Sequence, residues 1–91
     1  FTVPTQVSFR DEPQGQGTVM ELVATDRPGL LSKVGQAFSQ CGVRLFNARI
    51  STIGSRAEDI FLLTGTDNRP LRDESLRAKL KTTVIELVGE S

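Results

Sequence analysis

The sequence predicts a two-layer α+β domain, a sheet with two helices on one face, in the order β-β-α-β-β-α. Three observations predict it. Short segments alternate apolar and polar residues with a period of two. Two longer segments repeat their apolar residues every three to four positions. Gly, Pro, Asn and Asp gather in the joints between them. Ninety-one residues form one domain with one modest core. With five Phe and no Trp or Tyr, that core is mostly aliphatic.

"TQVSFR" (5–10) places Val7 and Phe9 on one side and Gln6, Ser8 and Arg10 on the other, a half-buried strand introduced by Pro4. "DEPQGQG" (11–17) is a polar loop. "TVMELVAT" (18–25) is a strand with Met20, Leu22 and Ala24 on one face and Val19, Glu21 and Val23 on the other. Two apolar faces predict cover on both sides, or one side turned to a partner. Next, Leu30, Leu31, Val34, Ala37, Phe38 and Cys41 form one apolar stripe of a helix, which Gly42 ends as a left-handed cap. "VRLFNARIST" (43–52) is a long strand with Phe46, Ala48 and Ile50 on one face. "IGSR" (53–56) is a turn, and "AEDIFLLTGT" (57–66) a strand that sets Phe61 and Leu63 against Ile60 and Leu62. "DNRP" (67–70) is turn chemistry.

The last segment carries two signals. "TTVIELV" is β-branched enough for a strand. Against that, Leu76, Leu80, Val84 and Val88 keep i+4 spacing with no turn between them, which predicts one helix over 72–88 with Asp73 and Glu74 in its first turn. The βαββα core is a ferredoxin-like pattern, which ordinarily ends in a further strand. Here the N-terminal strand replaces it by a hairpin to 18–25. The expected core is Val7, Phe9, Met20, Leu22, Leu31, Val34, Phe38, Ile50, Phe61 and Leu80. Val19, Val23, Ile60 and Leu62 then need cover on the face away from the helices, which predicts pairing with another domain.

Composition excludes several functions. Eleven basic and eleven acidic residues cancel, so no net field attracts nucleic acid or an anionic membrane. The absence of His removes the commonest general base and metal ligand, and no Cys/His cluster exists to hold a structural zinc. We expect no catalytic residue and no metal ligand here. The lone Cys41 has no internal partner and points to the cytosol; nothing resembles a signal peptide. Glu21 and the pair Glu58–Asp59 read as solvated charges. The chain opens on Phe1 rather than Met, which predicts a piece of a longer protein.

The element "DRPG" (26–29) stands where a strand hands over to a helix, and it has two readings. In one, Asp26 caps the helix and Pro28 supplies a first-turn φ. In the other, the bare amides and partial positive charge of the helix start receive a small carboxylate, with Gly29 leaving room for it. A helix start that only needed capping would accept alanine, so glycine is expected there for access as much as for folding. Neither a P-loop nor a dinucleotide fingerprint is present, which disfavours a nucleotide phosphate.

The run "TVMELVATDRPGLLSKVGQAF", with "GVRLFNARIST" and "EDIFLLT" after it, resembles an ACT domain, the small-molecule sensing module attached to many metabolic enzymes. The P-T-x-V-x-F segment (4–9), "ARISTIGSRAEDIFLLT" (48–64) and a terminal helix with no strand after it are similar to one branch of that family. This is the carboxy-terminal ACT domain of the bifunctional enzymes that uridylylate and deuridylylate the nitrogen-regulatory PII protein. The resemblance covers the whole chain, 1–91. It implies a ferredoxin-like fold at the carboxy-terminal end of a larger cytoplasmic enzyme. Nucleotidyltransferase and phosphohydrolase sites, with magnesium as the metal, would lie upstream. It implies glutamine as the sensed amino acid and another ACT domain, within one chain or from a second, as the partner. It places the ligand between Asp26, Arg27, Pro28, Gly29, Leu30 and Leu31 of one domain and Arg44, Leu45, Phe46 and Asn47 of the next. Where the family often has Gly-x-Asn-[Ile/Leu], this chain has "GVRL", with Arg44 in place of the Asn. Arg44 is either a bidentate carboxylate donor or a surface base.

Three rivals remain. Catalysis by the chain itself lacks a base to activate Cys41. RNA binding lacks the paired aromatics and the basic surface. An interaction domain with no ligand of its own, or an amino-acid sensor of another metabolic enzyme, agrees with every feature above.

Overall fold

The computed structural model describes residues 3–89. Its elements are β1 (Gln6–Asp11), β2 (Thr18–Thr25), α1 (Leu30–Cys41), β3 (Arg44–Arg49), β4 (Thr52–Ile53), β5 (Arg56–Thr64) and α2 (Glu74–Gly89). The five strands form one antiparallel sheet in the order β1-β2-β5-β3, with β4 also paired to β5 on the β3 side. This is the expected ferredoxin-like architecture. β1 lies along β2 in unbroken register from Gln6 opposite Val23 to Asp11 opposite Thr18, and so fills the edge that a terminal strand would occupy.

The helices form as their spacing predicts. α1 ends in a Schellman arrangement: Gly42 has φ 66°, and the Val43 amide donates to the Phe38 carbonyl at 2.9 Å. α2 starts two residues later than expected. Asp73 stands outside it as the cap, its Oδ1 accepting from the Ser75 amide at 2.8 Å, and Glu74 holds the first turn. The i+4 spacing decides the segment that also read as a strand: Leu80, Val84 and Val88 are all buried.

Seven of the ten expected core residues are buried: Val7, Met20, Leu22, Val34, Phe38, Phe61 and Leu80. Phe38 of α1 meets Phe61 of β5 edge-on, ring centroids 5.4 Å apart at 77°. Thr18 is fully buried, and its Oγ1 accepts from the Leu71 amide at 2.8 Å, tying the approach to α2 onto β2.

Three expectations are corrected. Phe9 is half-buried: it lies on the edge strand, packed against the core, with the Arg77 guanidinium 6.0 Å from its ring centre. Leu31 is 47% exposed, because Leu30 takes the inward position at the helix start and the next residue turns about 100° away. Ile50 is 48% exposed, because the strand expected over 43–52 breaks at Ile50–Ser51. β3 and β4 nevertheless keep one register against β5, since Arg49 faces Ile60 and Thr52 faces Ala57. A bulge between Leu45 and Asn47 adds a further irregularity at this edge. On the face away from the helices Val19 is already buried, in register between Arg10 and Leu62. On the same face Ile60 is 36% exposed, as expected, and further exposed apolar side chains lie along the β3–β4 edge, at Leu45, Phe46, Ile50 and Ile53.

Candidate functional site

The joint between β2 and α1 is built by its backbone. The Asp26 amide donates to the Ser55 carbonyl at 2.8 Å, pinning the end of β2 to the β4–β5 turn. The chain then turns through Arg27 and Pro28 to Gly29, which has φ 81° and ψ 3°. This is left-handed backbone that an L side chain rarely adopts. Gly29 is the cap residue, outside the helix, and no side chain caps α1 among the described residues. The expectation that Asp26 caps the helix and Pro28 opens it is therefore corrected. So is the expectation that capping alone would accept alanine: the backbone itself requires glycine. The Leu30 amide donates to the Arg27 carbonyl and the Lys33 amide to the Gly29 carbonyl. Between them, the Leu31 and Ser32 amides are donors that no residue of the helix can satisfy.

Beside this helix start lies a pocket of about 230 Å³, lined by Asp26, Arg27, Gly29, Leu30, Leu31 and Ser32 on one side and by Ile50, Thr52, Ala57 and Asp59 on the other. Five of the six residues expected from the DRPGLL element line it; Pro28 is in the loop but not in the wall. Two of the three expected core residues that are not buried, Leu31 and Ile50, are its half-exposed apolar rims. A larger hollow of about 620 Å³ lies at the other end of α1, between Gly42 and the turn leading into α2. No buried side-chain polar atom lacks a partner there, among the described residues.

The second half of the expected site is not brought to the first. Arg44, Leu45, Phe46 and Asn47 lie on the edge strand β3, outside the pocket wall. The Arg44 Nη1 donates to Asn68 Oδ1 at 2.7 Å, and Asn47 Oδ1 accepts from the Ala48 amide at 2.9 Å. Leu45 and Phe46 are half or more exposed. Within one copy, the loop and this strand face different surroundings.

One residue of the pocket contradicts the solvated reading of Glu58–Asp59. Glu58 is half-exposed and paired with Arg56 at 3.0 Å. Asp59 is only 1% exposed. Its Oδ1 accepts from the Ser51 amide at 3.2 Å, at the break between β3 and β4, and its Oδ2 has no partner. Burial raises the Asp59 carboxyl above the ordinary aspartate range, the Ser51 hydrogen bond opposes that, and the charge of Asp26 adds to it. The signal was present in the alternation: residues 57, 59, 61 and 63 share one face of β5, and three of the four are apolar and buried.

A ferredoxin-like α+β sandwich with an open pocket at its first strand–helix joint is an architecture used by small regulatory domains. The ACT domain family model matches residues 18–80, and the chain belongs to that family. It is 61% identical over 90 residues to the bifunctional uridylyltransferase/uridylyl-removing enzyme of Methylococcus capsulatus, 99% of this chain and 10% of that protein. The proteins of the same name from Stutzerimonas stutzeri and Pseudomonas entomophila are 42% and 41% identical over 86 residues, 94% of this chain and again 10% of each. The chain thus spans about a tenth of the length of the curated relatives it matches. No helix among the described residues is long and apolar enough to cross a membrane.

Proposed function

We propose that this chain is the glutamine-sensing ACT domain at the carboxy-terminal end of a cytoplasmic enzyme that adds and removes uridylyl groups on the PII protein. In this reading both catalytic activities, and the magnesium they use, belong to segments outside the chain. The domain reports amino-acid level to them. The observation that carries the reading is the pocket at the β2–α1 joint, lined by Arg27, Gly29 and the first residues of α1; in this reading the free amides of the helix start and Arg27 receive a carboxylate and Gly29 leaves room for it. A pocket of about 230 Å³ accommodates an amino acid and is too small for most drug-sized ligands.

Pairing with a second ACT domain is the other part of the proposal. β3 is an open sheet edge lined by exposed apolar side chains, the kind of edge that proteins cover. A neighbour on that edge supplies the contact between one domain's DRPG loop and the other's Arg44–Asn47 segment that a single copy lacks. Titration calorimetry with L-glutamine tests the sensing. Saturable heat that is lost on Arg27→Ala supports it. No heat with glutamine, in a sample that sediments as a pair, would assign the chain to docking alone.

A further inference from the structure

The pocket has an acceptor as well as donors, and the acceptor has no role in the fold that accounts for both its oxygens. Asp59 needs only Oδ1 to hold the Ser51 amide where the β3 ladder breaks, and an asparagine oxygen would do the same. Oδ2 is buried without a partner, and leaving a charged group in that state is costly. Asp26, on the loop side of the same pocket, places a second negative charge near it. Across the pocket from Asp59 stand Arg27 and the Leu31 and Ser32 amides, which have no acceptor within the helix. Asp59 and Asp26 seek a cation and the start of α1 an anion, within a pocket of about 230 Å³.

We propose that Asp59 is the ammonium anchor of this pocket: its Oδ2 accepts a hydrogen bond from the α-ammonium group of a zwitterionic ligand whose carboxylate lies at the start of α1. This rests on the amino-acid-sensing reading and adds to it the residue that selects for the amino group. For a ligand to reach Oδ2 a wall side chain must turn aside, and Leu31 and Ile50 of that wall are half-exposed. The like charges of Asp26 and Asp59 then share one cation, which removes the repulsion between them.

The test uses the isotopically labelled chain and amide NMR titration with two probes, L-glutamine and its des-amino analogue 4-carbamoylbutanoate. Each is added to the wild type and to Asp59→Asn, with the amide spectrum of the variant confirming its fold. The wild type is expected to prefer glutamine by about 10- to 100-fold, the scale of one hydrogen bond between charged groups. Asp59→Asn is expected to lose that preference while binding the des-amino probe as the wild type does. If the wild type binds both probes equally, or the variant binds glutamine undiminished, the anchor is refuted and sensing stands. If another α-amino acid binds with the same dependence on Asp59 while glutamine does not, the anchor stands and glutamine sensing is refuted. If no amino acid shifts the pocket amides, both are refuted. The preference of the wild type between the two probes needs no variant, so a misfolded Asp59→Asn does not remove the test.

Discussion

Substituting Gly29 by Ala isolates a single backbone angle. A Cβ added there meets no atom within 4 Å, so packing contributes no clash. What remains is φ 81°, a left-handed position that costs an L residue roughly 1–2 kcal/mol. Alanine recovers about 0.4–1 kcal/mol of that by restricting the unfolded chain. The net expectation is a loss of about 1 kcal/mol, or about 4–8 °C in Tm for a domain of this size. The sequence alone leads to the opposite sign, because alanine inside a helix is worth about 1 kcal/mol over glycine. Thermal and urea unfolding of the wild type, Gly29→Ala and Gly29→Asn decide between them. Asn tolerates left-handed backbone better and should fall between the other two. An alanine variant as stable as the wild type, or an asparagine variant less stable than alanine, would refute the assignment of Gly29 as a left-handed cap. Stability therefore does not separate capping from ligand access at this position. Ligand affinity does: Gly29 lines the pocket, so in variants that fold, weaker glutamine binding with Asn than with Ala marks an approach closed by side-chain bulk.

Phe38→Ala removes a ring that is 4% exposed and is expected to cost about 3–5 kcal/mol by urea unfolding; a cost below about 1 kcal/mol would place the wrong face of α1 on the sheet. Thr18→Val keeps the shape but strands the Leu71 amide and should cost about 1–3 kcal/mol, while Thr18→Ser, which keeps the acceptor, should cost less. Asp59→Asn tests the buried charge. Its carboxyl is raised in the folded state, so the folded chain holds that proton more tightly than the unfolded one. That contribution is fully present below the unfolded aspartate value, about pH 4, and is lost as pH rises through the folded value. Relative to the wild type, the variant should therefore gain in Tm from about pH 4 toward neutrality; a difference that stays constant or shrinks would refute the raised carboxyl.

Most of the fold was legible because its signals are periodic. The i+4 spacing of Leu80, Val84 and Val88 outweighed the β-branched composition around them, since packing of one stripe decides a helix more than local propensity does. The replacement of a terminal strand by β1 followed from counting strands and finding one edge short. Of the three expected core residues that are not buried, Leu31 and Ile50 share a cause. Each falls on an apolar face by periodicity, yet each stands at the end of its element, where the opposite layer no longer covers it. Periodicity gives the face of a residue, whereas burial depends on what stands across from it.

The site was legible only in part, for a physical reason that Gly29 and Asp59 show from opposite directions. The DRPGLL element announced itself by residue type, and five of its six positions line the pocket. Residue type alone points to access as the purpose of its glycine, whereas φ 81° is a structural requirement that composition does not display. Asp59 carried no motif, and beside Glu58 it resembled an ordinary charged pair on a strand. Its meaning lay in parity, with one acid on the face of Ala57, Phe61 and Leu63, where a charge is expensive and must be met by something. The Ser51 amide meets one oxygen. The other is the one buried side-chain polar atom among the described residues that the fold leaves unanswered, and its residue lines the pocket toward which the loop motif already pointed. A motif and an unexplained cost, found by different reasoning, meet at one place. That convergence is a stronger argument for a ligand than either alone, because a loop built only to start a helix has no need of a buried acid across from it.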